Sequence, residues 1–170
     1  MNAQQNAFLR MVVPAAQAAQ RQWAVPASVT IAQAILESSN ELGWGQSQLA
    51  RECNNYFGIK ATNLQQPNSY VAFETHEYVN GHLVTREADF VRYESIAESF
   101  NDHARLLACA VRYRPAMRAT ARPLLFACKL GPCGYSTNPA YGDLLCQLIS
   151  RYDLQQYDVP PAGPSHQAAA

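Results

Sequence analysis

Tyr70-Val71-Ala72-Phe73-Glu74-Thr75-His76-Glu77-Tyr78-Val79-Asn80-Gly81-His82-Leu83-Val84-Thr85-Arg86 is the stretch of this 170-residue chain that reads as β-structure. β-Branched and aromatic residues crowd both halves, and Asn80-Gly81 lies between them. A two-residue hairpin turn needs positive φ at its centre, which Asn and Gly tolerate best, so the pattern predicts an antiparallel hairpin over 69–93. A two-residue turn also sets the register: Val79 faces His82, Glu77 faces Val84, and Thr75 faces Arg86.

On both sides of this hairpin the period is helical. Residues 4–22 carry Phe8, Met11, Val12, Ala15, Ala16 and Ala19 near a 3.6-residue repeat, with Pro14 as a point of kinking. A second helix starts at Val25-Pro26-Ala27-Ser28, with Pro26 in the first turn or Ser28 as cap, and runs to about Glu41, where Gly43-Trp44-Gly45 stops it. It is unusually apolar, which predicts a central position. A short helix is expected over 46–52. From Ser95 the helical period returns, with Glu98 at the capping-box position and Ile96, Phe100, His103, Leu106 and Leu107 following. Shorter helices are expected over 113–119, 121–130 and 139–152. The order predicts an α+β domain, mainly helical, over residues 1–157, with a small β lobe and a groove between lobes. Residues 158–170 read as a Pro/Ala-rich disordered tail.

Composition narrows the function. Lys plus Arg and Asp plus Glu are 13 each, so the formal charge is zero, which argues against a chain held on nucleic acid by a broad basic face. No run of eighteen apolar residues is present, so no membrane span is expected. Residues 8–19 have some of the apolar content of a secretory signal. The first nine residues carry no Lys or Arg, however, and Arg10, Pro14 and Gln17 interrupt the stretch, so it reads as a mature helix. Five cysteines (Cys53, Cys109, Cys128, Cys133, Cys146) are an odd number without zinc spacing. They read as small buried hydrophobes, or, for Cys128 and Cys133 around the Gly131-Pro132 turn, as a short loop disulfide.

Glu37 is the first candidate for chemistry. It follows Ile31-Ala32-Gln33-Ala34-Ile35-Leu36, and a carboxyl at the end of such a helix is partly desolvated, which keeps it protonated near neutral pH and suits it to general-acid work. The plainer alternative is an exposed glutamate in a last helical turn. Glu77, on the hairpin, is placed to face it across a groove, although Glu74, Glu87 and Asp89 are equally acidic neighbours. Two carboxylates on opposite walls equip a site for glycosidic cleavage. Trp44, Tyr56, Phe57, Tyr135 and Tyr141 stand near turns, as sugar platforms or as core.

Ala32-Gln33-Ala34-Ile35-Leu36-Glu37-Ser38, Gly43-Trp44-Gly45, Asn54-Asn55-Tyr56-Phe57-Gly58-Ile59-Lys60-Ala61, His76-Glu77-Tyr78-Val79-Asn80-Gly81 and Gly134-Tyr135-Ser136-Thr137-Asn138-Pro139-Ala140-Tyr141 occur in the order of family-73 glycoside hydrolases. The chain resembles these bacterial and phage peptidoglycan β-N-acetylglucosaminidases over about residues 8–154. The resemblance implies a lysozyme-like fold, Glu37 as general acid, Glu77 as second acidic residue, and Tyr135 lining the catalytic groove. It places Asn55 and Phe57 at the floor near the acid, and Trp44 and Tyr141 among the substrate-binding residues. It implies no metal and no cofactor. Two departures stand out. Ser39-Asn40-Glu41-Leu42 intervenes between the glutamate and Gly43-Trp44-Gly45, which gives Glu41 a rival claim, four residues on along the same helix. Asn138 stands where Asp is frequent.

The reaction so implied is hydrolysis of the β-1,4 bond after N-acetylglucosamine. It proceeds either by inversion, with Glu77 activating water, or by attack of the substrate's own acetamido group, assisted by Tyr135 or Glu77. A muramidase on the same fold, a non-catalytic peptidoglycan-binding module, and a cysteine peptidase using His76, His82 or His103 are the competing readings. The expected partner is the glycan strand of peptidoglycan, with a cognate inhibitor protein if the chain is a secreted effector. The chain is read as a monomer that acts in the periplasm or at the cell wall, delivered by a secretion system or phage lysis, or after removal of a signal.

Overall fold

A computed structural model describes residues 1–61, 69–79 and 82–160, with the side chains of all of these except 75–79 and 82–84. The order is α1 (Ala3–Trp23), α2 (Ala27–Ser38), α3 (Gln48–Cys53), β1 (Tyr70–Val79), β2 (His82–Val91), α4 (Ile96–Cys109), α5 (Arg114–Met117), α6 (Pro123–Leu130) and α7 (Tyr141–Arg151). Single 3₁₀ turns cover Val111–Tyr113 and Leu154–Tyr157. The domain is α+β and mainly helical, with one antiparallel hairpin. Among the described residues no helix is long and apolar enough to cross a membrane.

α2 is the central element. Ten of its twelve residues are buried, from Ala27 through Ile35 plus Ser38. It packs against α1, α6, α7 and the 154–157 turn. Its first turn has no side-chain cap of its own, because Pro26 occupies the cap position. The cap comes from the far end of the chain. Asp158 accepts 2.8 Å bonds from the Ser28 backbone N–H and from the Ser28 hydroxyl. A carboxylate on these orphan amides also complements the helix dipole. Gln20 donates to the Val159 carbonyl at 3.0 Å. Asp158 and Val159, which composition assigned to the tail, are therefore bonded into the helical body; residues 161–170 lie outside the described residues.

α2 stops at Ser38, three residues short of the expected end. The Ser38 and Ser39 hydroxyls bond back to the Ala34 and Ile35 carbonyls, and Asn40 accepts from the Leu42 N–H at 2.9 Å. These local side-chain bonds compete with helix propagation. Asn40 and Gly43 then close a small turn, and the Ser47 N–H returns to the Ser38 carbonyl at 2.8 Å. Gly43 sits at φ +122°, open to glycine and strained for other residues. Glu41 and Glu37 consequently do not share a helix face, and Glu41 is exposed on this turn.

α1 opens with a capping box between Asn2 and Gln5 and runs unbroken past Pro14. Its buried stripe is Phe8, Leu9, Val12, Ala15, Ala16 and Ala19, whereas Met11 is on the outside. The small alanines let α4 and α2 approach closely. Ser95 caps α4 by accepting from the Glu98 N–H, and Glu98 accepts from the Glu94 N–H rather than completing a box with Ser95. The hairpin has the expected register, Glu77 opposite Val84 and Thr75 opposite Arg86. The Asn80-Gly81 turn and the side chains of His76, Glu77 and His82 lie outside what is described.

Candidate active site

The hairpin joins the helical body along a seam centred on one buried side chain. Asn55, almost fully buried, donates to the Ile59 and Val91 carbonyls, each at 2.9 Å, and accepts from the Ile59 N–H at 3.0 Å. Backbone bonds continue the seam, Val91 N–H to Ile59 and Ala61 N–H to Asp89. This clamp fixes the 55–59 loop and sets Phe57 on α4, where its ring stacks on His103 at 3.8 Å and 14° and meets Phe100 edge-on at 4.9 Å.

Between this loop, α4 and the 135–136 segment lies a groove of about 750 Å³, lined among others by Glu37, Phe57, Lys60, Arg105, Arg112 and Tyr135. A second hollow of about 520 Å³ lies between the start of α1 and the end of α7, beside Asn2, Gln5 and Tyr152. Glu37 is not part of it.

Glu37 stands in the last turn of α2; the residue as a whole is exposed, while its carboxyl lies beside Tyr141 at the groove. Packing around its carboxyl raises its pKa, partly opposed by a 2.7 Å hydrogen bond from the Tyr141 hydroxyl to Oε1. Tyr141 is buried at the first position of α7. Its oxygen accepts from Gln33 Nε2 at 3.0 Å, one helical turn before Glu37. Gln33 supplies a proton to that hydroxyl, so the hydroxyl's own proton points to Glu37. Oε1 is thus an acceptor, and the proton of a neutral Glu37 belongs on Oε2.

Tyr135 stacks on Tyr141 with centroids 5.3 Å apart and planes 22° apart. Its hydroxyl pairs with His103 Nε2 at 3.1 Å. Burial, then the charge of Glu37, pushes the Tyr135 hydroxyl well above its usual pKa, so it is a neutral donor or acceptor. His103 is fully buried, and burial lowers its pKa to about 3, against a smaller opposing pull from Asp102. It is a neutral ring whose Nδ1 has no partner among the described residues. The amide oxygen of Gln33 is likewise buried and unpaired.

The structure thus gathers Glu37, Tyr135, Tyr141 and Phe57 at one place, with Asn55 behind them as the clamp. Trp44 lies elsewhere. It is in the core, edge-on to Tyr152 at 4.7 Å and to Phe8 at 5.9 Å. Gln33 and His103 belong to the constellation and were not expected there. Each looks from sequence like a polar residue on an apolar helix, and only its tertiary partner marks it. Among the described residues no group of three or more His, Cys, Asp or Glu is placed to hold a metal. Chemically, the arrangement offers one carboxyl whose pKa is raised by its surroundings, a hydroxyl already bonded to it, and aromatic residues among those lining an open groove.

The chain has clear relatives among known proteins. Residues 13–154 match the glucosaminidase model, described as mannosyl-glycoprotein endo-beta-N-acetylglucosaminidase. The chain is 35% identical over 160 residues to the exo-glucosaminidase LytG of Bacillus subtilis, covering 91% of this chain and 54% of LytG. It is 35% identical over 161 residues to the peptidoglycan hydrolase FlgJ of Vibrio cholerae, covering 93% of this chain and 47% of FlgJ. The chain therefore spans about half the length of these curated relatives. Among solved structures, the catalytic domain of the autolysin Auto from Listeria monocytogenes superposes with a TM-score of 0.80 and 31% identity, over 93% of this chain and 89% of that one.

Proposed function

Because the chain belongs to the glucosaminidase family of glycoside hydrolases, family 73, we propose that it hydrolyses peptidoglycan at the β-1,4 bond after N-acetylglucosamine, with Glu37 as general acid. The observation that carries this reading is the Glu37 carboxyl at the groove edge, its pKa raised by burial and its Oε1 held by Tyr141. Glu37 donates the Oε2 proton to the leaving oxygen as positive charge grows on the sugar ring. The Tyr141 bond then strengthens, because its acceptor has become a carboxylate. Phe57 and Tyr135 line the path of the glycan. Glu77, on β1 opposite Val84, is the proposed second carboxylate, activating water or assisting the acetamido group. The site of action proposed is the cell wall or periplasm, and an inhibitor protein is the proposed partner if the chain is exported against other cells.

The test is digestion of purified peptidoglycan followed by borohydride reduction. Glucosaminitol at the new ends supports this reading; muramitol assigns a muramidase. Glu37→Gln keeps the shape and removes the proton, so turnover falls by about 10²–10⁴-fold or more while binding persists. Saturable binding with no new reducing ends from the native chain makes it a binding module. If Glu41→Gln is dead and Glu37→Gln active, the acid is misassigned.

A further inference from the structure

α6 and α7 touch more closely than two helices ordinarily can. The reason is Gly142: a Cβ there would lie 2.8 Å from the Cα of Cys128 and 3.2 Å from its carbonyl oxygen, so the residue after Tyr141 must be glycine for α7 to sit where it does. At this same contact, one turn further along α7, Cys146 brings its sulfur to 3.4 Å from the sulfur of Cys128. Cys133, the expected partner of Cys128, instead packs against the hydrophobic core. Cys128 is exposed, and Cys146 is half-buried with its thiol also directed at the Leu124 carbonyl at 3.4 Å.

We propose that Cys128 and Cys146 form a disulfide that staples α6 to α7 when the protein is in an oxidising compartment. The sulfurs need to close by about 1.4 Å to reach bonding distance, a movement within the reach of side-chain rotation on two helices already in contact. The electrons go to a disulfide oxidant, such as oxidised glutathione or a dithiol oxidase. The exposed Cys128 thiolate attacks one oxidant sulfur and releases one thiol. Cys146, after losing its proton, then attacks the Cys128 sulfur and releases the second. Two cysteine thiols and one oxidant disulfide become one protein disulfide and two oxidant thiols. The closed loop contains Tyr135 and Tyr141, so the staple holds the stacked pair whose Tyr141 hydroxyl bonds Glu37, whatever the glycan bond cleaved.

The experiment uses the full chain equilibrated with oxidised glutathione, unfolded, alkylated, and digested with trypsin and Asp-N. Cleavage after Lys129 separates Cys128 from the rest, and cleavage before Asp143 separates Cys133 from Cys146. The expected result is three alkylated cysteines and one linked pair, the Cys128 peptide with the Cys146 peptide. A Cys128–Cys133 link, or five alkylated cysteines, overturns the proposal. As a second readout, a reductant should lower the melting temperature of the oxidised chain by about 6–12 °C and leave that of Cys146→Ser unchanged. An equal reductant effect on both also overturns it. Neither readout depends on glycan cleavage.

Discussion

Tyr141→Phe separates Glu37, the proposed acid, from the group that steadies it. The ring stays, so its stack on Tyr135 is kept; only the hydroxyl goes, and with it the 2.7 Å bond to Glu37 and the 3.0 Å bond from Gln33. Gln33 is fully buried, and among the described residues its amide oxygen is already unpaired. Losing the last partner of that amide costs about 1–3 kcal/mol, a fall in melting temperature of about 2–12 °C for a domain of this size. The kinetic effect follows from when the Glu37 bond is strongest. A hydrogen bond to an ionised group contributes about 1.5–3 kcal/mol, and in the proposed reaction Glu37 becomes a carboxylate as it gives up its proton. Losing that bond lowers kcat about 10- to 150-fold. The sign of the pH effect is fixed as well. Tyr141 stabilises the carboxylate and so holds the pKa of Glu37 below where burial alone would put it. Removing the hydroxyl raises that pKa further. A general acid works while protonated, so the alkaline limb of the kcat profile moves to higher pH. The assay is release of reducing ends from peptidoglycan across pH, beside a thermal melt. An alkaline limb that stays in place or moves down refutes the reasoning, even if the rate falls.

Two further outcomes are expected. His103 takes no proton in the folded state until about pH 3, whereas the unfolded chain takes one near pH 6.5, so acid favours unfolding. Between these values this one residue removes about 1.4 kcal/mol of stability per pH unit. His103→Gln should show a shallower loss of urea stability than the native chain over that window, and parallel curves would contradict the argument. Asp158→Ala removes both bonds to Ser28 at the head of α2 and should cost about 1–2 kcal/mol, read as a drop of about 2–8 °C in melting temperature; an unchanged melt would mean the cap contributes nothing.

The sequence made the hairpin legible down to its register, because Asn80-Gly81 between two β-rich runs leaves few alternatives and a two-residue turn determines every pairing beyond it. The apolar run before Glu37 likewise announced a buried helix. What stayed hidden depends on contacts between distant segments. Asp158 lies in a proline-rich stretch, and nothing local says that it caps a helix 130 residues earlier. Cys133 is nearer to Cys128 in sequence than Cys146 is, yet helix packing decides which sulfur arrives. The helical period continues to Glu41, while serine hydroxyls and the Asn40 turn end α2 from within. Trp44, near a glycine-flanked turn, looked like a groove residue; Phe8 and Tyr152, far away in the chain, give it a core environment instead.

The tip of the 38–47 excursion, from Asn40 to Gly43, has its two ends tied together by a pair of backbone bonds, with Leu42 exposed at its outer side. A side branch pinned at its root transmits no change in its own length to the trunk. Lengthening a closed loop costs little, since the entropy of closure grows only with the logarithm of its size. The domain thus has a spot where residues can be gained or shed beside the proposed acid without displacing it. The interval between Glu37 and Gly43-Trp44-Gly45 can therefore grow by a helical turn's worth of residues and leave the acid where the groove needs it.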